Sequence, residues 1–155
     1  MLKKLLEKWN ENKDLLKREL AIRTDLNSCE YKDLVKLTFE IIFNTGCESY
    51  GENLCTEKIT EIDNGNYQGT LLFLIPFDTY QPNEYEYLMT YVGYGSCSGC
   101  DTLKAIQGWR DGKLTESQLN DFMSLCKDII CNTIKPYNSG WRNDEEFAVV
   151  EVERL

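Results

Sequence analysis

The sequence predicts an α+β fold in which a three- to four-stranded antiparallel sheet packs with about four helices. Apolar residues recur at helical spacing in several segments, capping signals open two helices, and other segments alternate apolar and polar residues. Short turns join the alternating segments, so the strands are expected to be antiparallel. The predicted order is α-α-β-β-β-α-α-β, which fits helices packed on one sheet. The 155 residues, 42% of them hydrophobic, fit a single domain over residues 1–155.

The first two helices are predicted from apolar spacing. Residues 2–22 form an amphipathic helix that packs on the domain or contacts a partner or a second copy of the chain. Asn27 or Ser28 caps a second helix, which runs to about Phe43 and is closed by Gly46. Apolar side chains cover most of the circumference of this second helix, so it is expected to be buried. The polar residues 45–57 are predicted to form a loop.

Three segments of alternating residues predict the sheet. Residues 58–63 and 67–77 are strands joined by a turn at Asn64 and Gly65, because Asn-Gly tolerates positive φ. Residues 84–94 form the third strand, in which tyrosines on one face are expected to pack across strands. Residues 147–152 alternate like a final strand.

Capping signals predict two further helices. Asp101 caps a short helix that extends through Gln107. The sequence Thr115-Glu-Ser-Gln118 is a capping box that opens a long helix to about Ile134, and Pro136 ends it. The predicted core stripe of the long helix consists of Leu119, Phe122, Met123, Cys126, Ile130 and Ile134.

The net charge of −9 is unevenly distributed. Residues 1–23 hold seven basic and four acidic side chains, so the rest of the chain is strongly acidic. An acidic body repels nucleic acid and attracts basic protein surfaces. The candidate partner-binding residues are Asp144, Glu145, Glu146, Glu151 and Glu153, with a solvated surface as the alternative. The chain has no histidine, the usual general base, and no catalytic residue is predicted.

Cysteine use and hydropathy predict a cytoplasmic protein with reduced thiols. Seven cysteines are an odd number, which argues against a secreted disulfide framework. No apolar run approaches the roughly 20 residues that span a bilayer. Charges at Glu7, Lys8 and Glu11 interrupt the N-terminal apolar stretch, so a signal peptide is not expected.

Cys97 and Cys100 lie two residues apart where a strand is predicted to meet a helix, and three interpretations are open. The pair can be a redox site, although Asp101 is expected to raise the pKa of Cys100. It can be half of a zinc site completed by Cys47 and Cys55. It can also be a structural corner in which the thiols pack as small apolar groups. The structural interpretation is favoured, and zinc is the best functional alternative.

Two segments carry a resemblance to a known family. The segment Asn66-Tyr-Gln-Gly-Thr-Leu-Leu-Phe-Leu-Ile75 and the string Tyr94-Gly-Ser-Cys-Ser-Gly-Cys-Asp-Thr-Leu103 resemble an uncharacterised family of small bacteriophage proteins, over about residues 60–135. The resemblance implies a phage protein directed at host machinery or host defence. It carries no catalytic residue.

The leading hypothesis is therefore a non-enzymatic factor that binds a host protein. A plausible target class is a nucleic-acid-handling defence complex such as a CRISPR effector, whose basic channel attracts an acidic protein. No cofactor, direct nucleic-acid contact or membrane contact is expected under this hypothesis, and a homodimer is possible. The alternative is a zinc-binding or thiol-redox protein that acts through Cys97 and Cys100.

Overall fold

The computed structural model describes residues 2–83 and 86–134. This part of the chain contains four α-helices and a three-stranded antiparallel sheet. The predicted α+β class is confirmed, and the number of strands is the lower of the two predicted. The helices are α1 (Leu2–Ile22), α2 (Tyr31–Ile42), α3 (Thr102–Ile106) and α4 (Glu116–Cys131). The strands are β1 (Thr60–Asp63), β2 (Gly69–Pro76) and β3 (Tyr87–Tyr94), and two short 3₁₀ helices occupy Leu26–Ser28 and Thr56–Lys58.

Helix α1 lies on the domain and packs against α2 and α4. Its spacing of apolar residues places Leu5, Trp9, Leu16 and Leu20 on one buried face, as the sequence predicts. The apolar face of α1 is therefore buried against other helices of the same chain. Two apolar side chains of α1 remain exposed, namely Leu15 and Ile22.

The predicted cap of α2 is wrong. Asn27 and Ser28 lie in a 3₁₀ helix, and α2 begins after Glu30, whose backbone N–H donates to the carboxylate of Asp33 at 2.9 Å. The side chain of Asn27 is engaged elsewhere, because its oxygen accepts hydrogen bonds from the backbone of Gly108 and the amide of Gln118. Long-range hydrogen bonds thus compete with the local capping role.

The sheet is an antiparallel meander in the order β1-β2-β3. In the β2–β3 register, Ile75 lies opposite Leu88, Phe73 opposite Thr90, and Gly69 opposite Tyr94. One face carries the buried residues Phe73, Ile75, Leu88, Thr90 and Val92, in agreement with the period-two pattern. The hydroxyl of the buried Thr90 donates to the carbonyl of Ile129 in α4 at 2.7 Å, which joins the sheet to the helical layer. Tyr67 and Tyr80 lie outside the strands and are exposed.

The capping signals of α3 and α4 are confirmed, but the predicted end of α4 is wrong. Thr115 and Gln118 exchange the two hydrogen bonds of the capping box. Helix α4 ends at Cys131, and Ile134 instead pairs with Met89 on β3 through two backbone hydrogen bonds of 2.9 and 2.7 Å. Pro136, the predicted strand 147–152 and the rest of residues 135–155 lie outside the described residues.

One continuous core joins the helices to the buried face of the sheet. Phe39, Phe73 and Phe122 are fully buried at its centre. Leu125 and Ile129 of α4 also belong to this core, whereas Leu119 and Met123 from the predicted stripe are only half-buried. Among residues 2–83 and 86–134, each helix is too short or too polar to cross a bilayer.

Candidate functional site

The link between β3 and α3 forms a tight corner, which we call the dithiol corner (residues 95–101). The backbone N–H groups of Cys100 and Asp101 both donate to the carbonyl of Cys97, at 3.1 and 2.9 Å. A Cβ atom on Gly95 would lie 2.5 Å from the carbonyl oxygen of Cys100 and 2.6 Å from its Sγ. The chain turns this sharply because glycine leaves space at position 95.

The corner brings two exposed, free thiols together. Cys97 Sγ lies 3.0 Å from Cys100 Sγ, and the backbone N–H of Cys97 donates to Cys100 Sγ at 3.2 Å. The pKa of the Cys100 thiol is lowered, because the Cys97 thiol and then its backbone N–H donate hydrogen bonds to the sulfur. The thiolate is the reactive form of cysteine, so this arrangement favours nucleophilic chemistry at Cys100.

Asp101 does not have the effect on Cys100 that its sequence position predicts. Its carboxylate points into the protein, is 4% exposed, and accepts the backbone N–H groups of Gly95 and Lys104 at 2.9 Å each. The groups that shift the pKa of Cys100 do not include Asp101. The expected rise is therefore wrong, because the Asp101 carboxylate is buried and satisfied by hydrogen-bond donors.

A cleft of about 360 Å³ adjoins the dithiol corner. Its walls come from β1 with Glu61 and Asp63, from β3 with Tyr94, and from the helices with Tyr31 and Lys104. The hydroxyl of Tyr94 donates to the carboxylate of Asp63 at 2.6 Å. This hydrogen bond lowers the pKa of Asp63 and raises the pKa of Tyr94 to about 12. The dithiol corner therefore has a concave, mixed polar and apolar surface beside it.

The structure does not bring Cys47 and Cys55 to the dithiol corner. The backbone N–H of Cys55 donates to the carbonyl of Pro76, at the last residue of β2. The dithiol corner follows Tyr94, which lies opposite Gly69 at the first residue of β2. Seven strand steps of about 3.3 Å separate these two ends by roughly 23 Å. Among the described residues, no group of three or more Cys, Asp or Glu side chains is arranged to hold a metal ion.

Cys47 has a different neighbour. Its sulfur accepts a hydrogen bond from Lys8 Nζ at 3.3 Å, and its thiol donates to the carbonyl of Phe43 at 3.2 Å. Lys8 also donates to that carbonyl at 3.0 Å. These contacts join α1 to the segment after α2, at the end of the domain remote from the dithiol corner.

Two further thiols are kept protonated by burial. Burial and then the negative charge of Asp33 raise the pKa of Cys29 to about 11. Burial raises the pKa of Cys126, a fully buried residue of α4, to about 12. At neutral pH neither thiol is nucleophilic, so the chemistry of Cys100 is distinct from that of these buried thiols.

Tyr31 is a residue of the site that the sequence did not reveal. Its hydroxyl donates to the carboxylate of Asp101 at 3.1 Å and accepts the backbone N–H of Leu103 at 3.0 Å. In the sequence, Tyr31 is one of several apolar residues on a buried helix, 70 positions from Asp101. In the sequence, this part of the fold is marked by the spacing of Cys97 and Cys100 and by the Asp101 cap. The candidate residues Asp144, Glu145, Glu146, Glu151 and Glu153 lie outside the described residues.

No protein-family model, curated protein or solved structure matches the chain. The resemblance to the bacteriophage family therefore stays a prediction from the sequence, and function is inferred from the site itself.

Proposed function

We propose that the protein acts as a thiol–disulfide exchange factor through Cys97 and Cys100. The observation that carries this proposal is the 3.0 Å separation of two exposed, free sulfurs. Two thiols that are held together close a disulfide with little further loss of chain entropy. The lowered pKa of Cys100 favours the thiolate, which is the attacking form in exchange.

The proposed reaction reduces a disulfide of a partner molecule. The Cys100 thiolate attacks one sulfur of the partner disulfide, forms a mixed disulfide and releases the other partner sulfur as a thiolate. Cys97, deprotonated, then attacks Cys100 Sγ, forms the Cys97–Cys100 disulfide and releases the second partner thiolate. Two protein thiols are oxidised, one partner disulfide is reduced to two thiols, and the two protons pass from the protein thiols to the partner thiolates. The reverse sequence oxidises a partner dithiol.

The test is redox titration of purified protein in glutathione buffers, with thiol alkylation and mass mapping of each cysteine. We expect one reversible disulfide, between Cys97 and Cys100, that is absent from Cys97→Ser and Cys100→Ser. The variants Cys47→Ser and Cys55→Ser are matched controls that should keep this disulfide. A disulfide elsewhere, or none, would contradict the proposal.

Metal analysis of the same samples separates the zinc hypothesis from exchange chemistry. Zinc takes four ligands, and the dithiol corner offers two thiolates. Stoichiometric zinc that is lost in both Cys97→Ser and Cys100→Ser would favour a metal site over a redox pair. Zinc that is instead lost in Cys47→Ser or Cys55→Ser would place the metal away from the dithiol corner.

A second proposal is that the protein binds a host protein without catalysis, as expected of a phage factor directed at a nucleic-acid-handling defence complex. The distribution of charge supports it, because a basic first helix stands against a strongly acidic remainder. Electrostatic attraction brings such a protein to a basic channel.

The test of this second proposal is affinity capture from host lysate at increasing salt. Replacement of Asp144, Glu145, Glu146, Glu151 and Glu153 by their amides should abolish capture. Replacement of the exposed Glu7, Glu11 and Asp14 of α1 by their amides is the control and should leave capture intact. Binding that is unaffected by several hundred millimolar salt would contradict the electrostatic mechanism.

A further inference from the structure

The two ends of the dithiol corner are held by one buried carboxylate. Asp101 Oδ2 accepts the backbone N–H of Gly95, which opens the dithiol corner, at 2.9 Å. Asp101 Oδ1 accepts the backbone N–H of Lys104 in α3, also at 2.9 Å. The backbone N–H of Asp101 itself donates to the carbonyl of Cys97 at 2.9 Å. The same residue therefore binds the entrance, the middle and the exit of the turn that carries the two thiols.

Tyr31 anchors this carboxylate to the core. It is the first residue of α2, is 7% exposed, and donates its hydroxyl to Asp101 Oδ1 at 3.1 Å. The hydroxyl also accepts the backbone N–H of Leu103 at 3.0 Å, so it contacts α3 on the far side of the dithiol corner. Burial raises the pKa of Tyr31 to about 12, so the hydroxyl stays protonated and able to donate even in alkaline buffer.

We infer that Asp101 and Tyr31 are positioning residues that set the disulfide equilibrium of the Cys97–Cys100 pair, an inference that rests on the proposed exchange function. The physical reason is the entropy of closing the disulfide. A turn that is already held at both ends loses little freedom when the sulfurs bond, so their effective concentration is high. A turn that is released from Asp101 has more freedom to lose, and its disulfide is less favoured.

The test compares three variants by redox titration in glutathione buffers. Asp101→Asn keeps the shape of the side chain but replaces one acceptor oxygen by an NH₂ group, which opposes a backbone N–H. We expect the equilibrium constant for forming the Cys97–Cys100 disulfide to fall about tenfold, which corresponds to a rise of about 30 mV in reduction potential. Tyr31→Phe removes the hydroxyl and its two hydrogen bonds, to the Asp101 carboxylate and from the backbone of Leu103. It leaves both hydrogen bonds from Asp101 to the ends of the turn, so it should lower the constant by less, about threefold.

Thr115→Ala is the matched control. It removes a capping side chain from α4, so it destabilises the protein by the same kind of loss without touching the dithiol corner. Its disulfide equilibrium constant should equal that of the wild type, although its unfolding midpoint falls.

The outcomes distinguish failure of the positioning inference from failure of the proposed exchange function. If Asp101→Asn and Tyr31→Phe keep the wild-type equilibrium constant while the wild type forms the disulfide, the positioning inference is wrong and the exchange function stands. If Thr115→Ala lowers the constant as much as they do, general destabilisation explains the effect and the inference is also overturned. If the wild type forms no Cys97–Cys100 disulfide, both proposals fail. Should Asp101→Asn not fold, Tyr31→Phe decides the question.

Discussion

The space at Gly95 leads to a prediction about a single methyl group. In Gly95→Ala, the new Cβ would lie 2.5 Å from the carbonyl oxygen and 2.6 Å from the Sγ of Cys100. It would also lie 2.7 Å from the carbonyl carbon of Cys100, so backbone has to move and a side-chain rotation does not relieve the contact. Forced overpacking of this kind costs about 1–3 kcal/mol.

Gly99→Ala is the control in the same turn. There the nearest atom to the added Cβ is Cys97 Sγ at 3.8 Å, which is an ordinary van der Waals contact. Neither glycine has positive φ, so the difference between the two variants comes from space and not from backbone preference. Gly99→Ala should leave stability unchanged or raise it by about 0.4–1 kcal/mol through the unfolded chain.

Urea unfolding followed by circular dichroism measures the difference in stability, and redox titration measures its effect on the thiols. We expect the urea midpoint of Gly95→Ala to fall. In a thermal melt of the same variant, the melting temperature should fall by about 2–4 °C for each kcal/mol of stability lost. The Cys97–Cys100 disulfide should also form less readily, because the shifted backbone of Cys100 carries its sulfur. Equal stability and equal disulfide formation in the two alanine variants would refute the close packing assigned to Gly95.

Three further predictions concern stability. Phe39→Ala removes a fully buried ring and should lower the free energy of unfolding by about 3–5 kcal/mol, measured by urea titration. Thr115→Ala should cost about 1 kcal/mol through its lost cap, and Thr115→Ser should recover most of it. Burial raises the pKa of Cys29 to about 11 and of Cys126 to about 12, above the ordinary value of 9.0. In the unfolded chain these thiols ionise near pH 9, whereas in the folded protein they stay protonated until about pH 11–12. The stability that the protonated buried thiols give the folded state is therefore complete below pH 9 and is lost as the pH rises toward 11–12. The unfolding midpoint should fall over that range. Cys126→Ala should make the fall in unfolding midpoint with pH less steep. An unchanged slope would show that ionisation of Cys126 does not cause part of the fall.

The secondary structure could be predicted wherever its cause is local. The spacing of Leu5, Trp9, Leu16 and Leu20 predicts α1, and the capping signals at Asp101 and Thr115 predict the starts of α3 and α4. Each of these signals lies within one or two helical turns of the residue it determines. Hydrophobic spacing and side-chain caps act over that range, so they are visible in the sequence.

The errors occur where a distant partner competes with a local signal. Asn27 has the side chain of a helix cap, but its amide binds Gly108 and Gln118 from another part of the chain. Ile134 continues the apolar spacing of α4, but its backbone pairs with Met89 on β3. A tertiary hydrogen bond outweighs the local preference in both cases, and a single sequence does not show the partner.

The candidate site shows the same division. The nearness of Cys97 and Cys100 and the capping role of Asp101 could be predicted, because both follow from residues a few positions apart. Only the tertiary structure placed Cys47 and Cys55 at the other end of β2, turned the Asp101 carboxylate inward and brought Tyr31 to it across 70 positions. Those contacts arise from the packing of α2 against the rest of the core, where burial and hydrogen bonding between distant residues decide which groups meet.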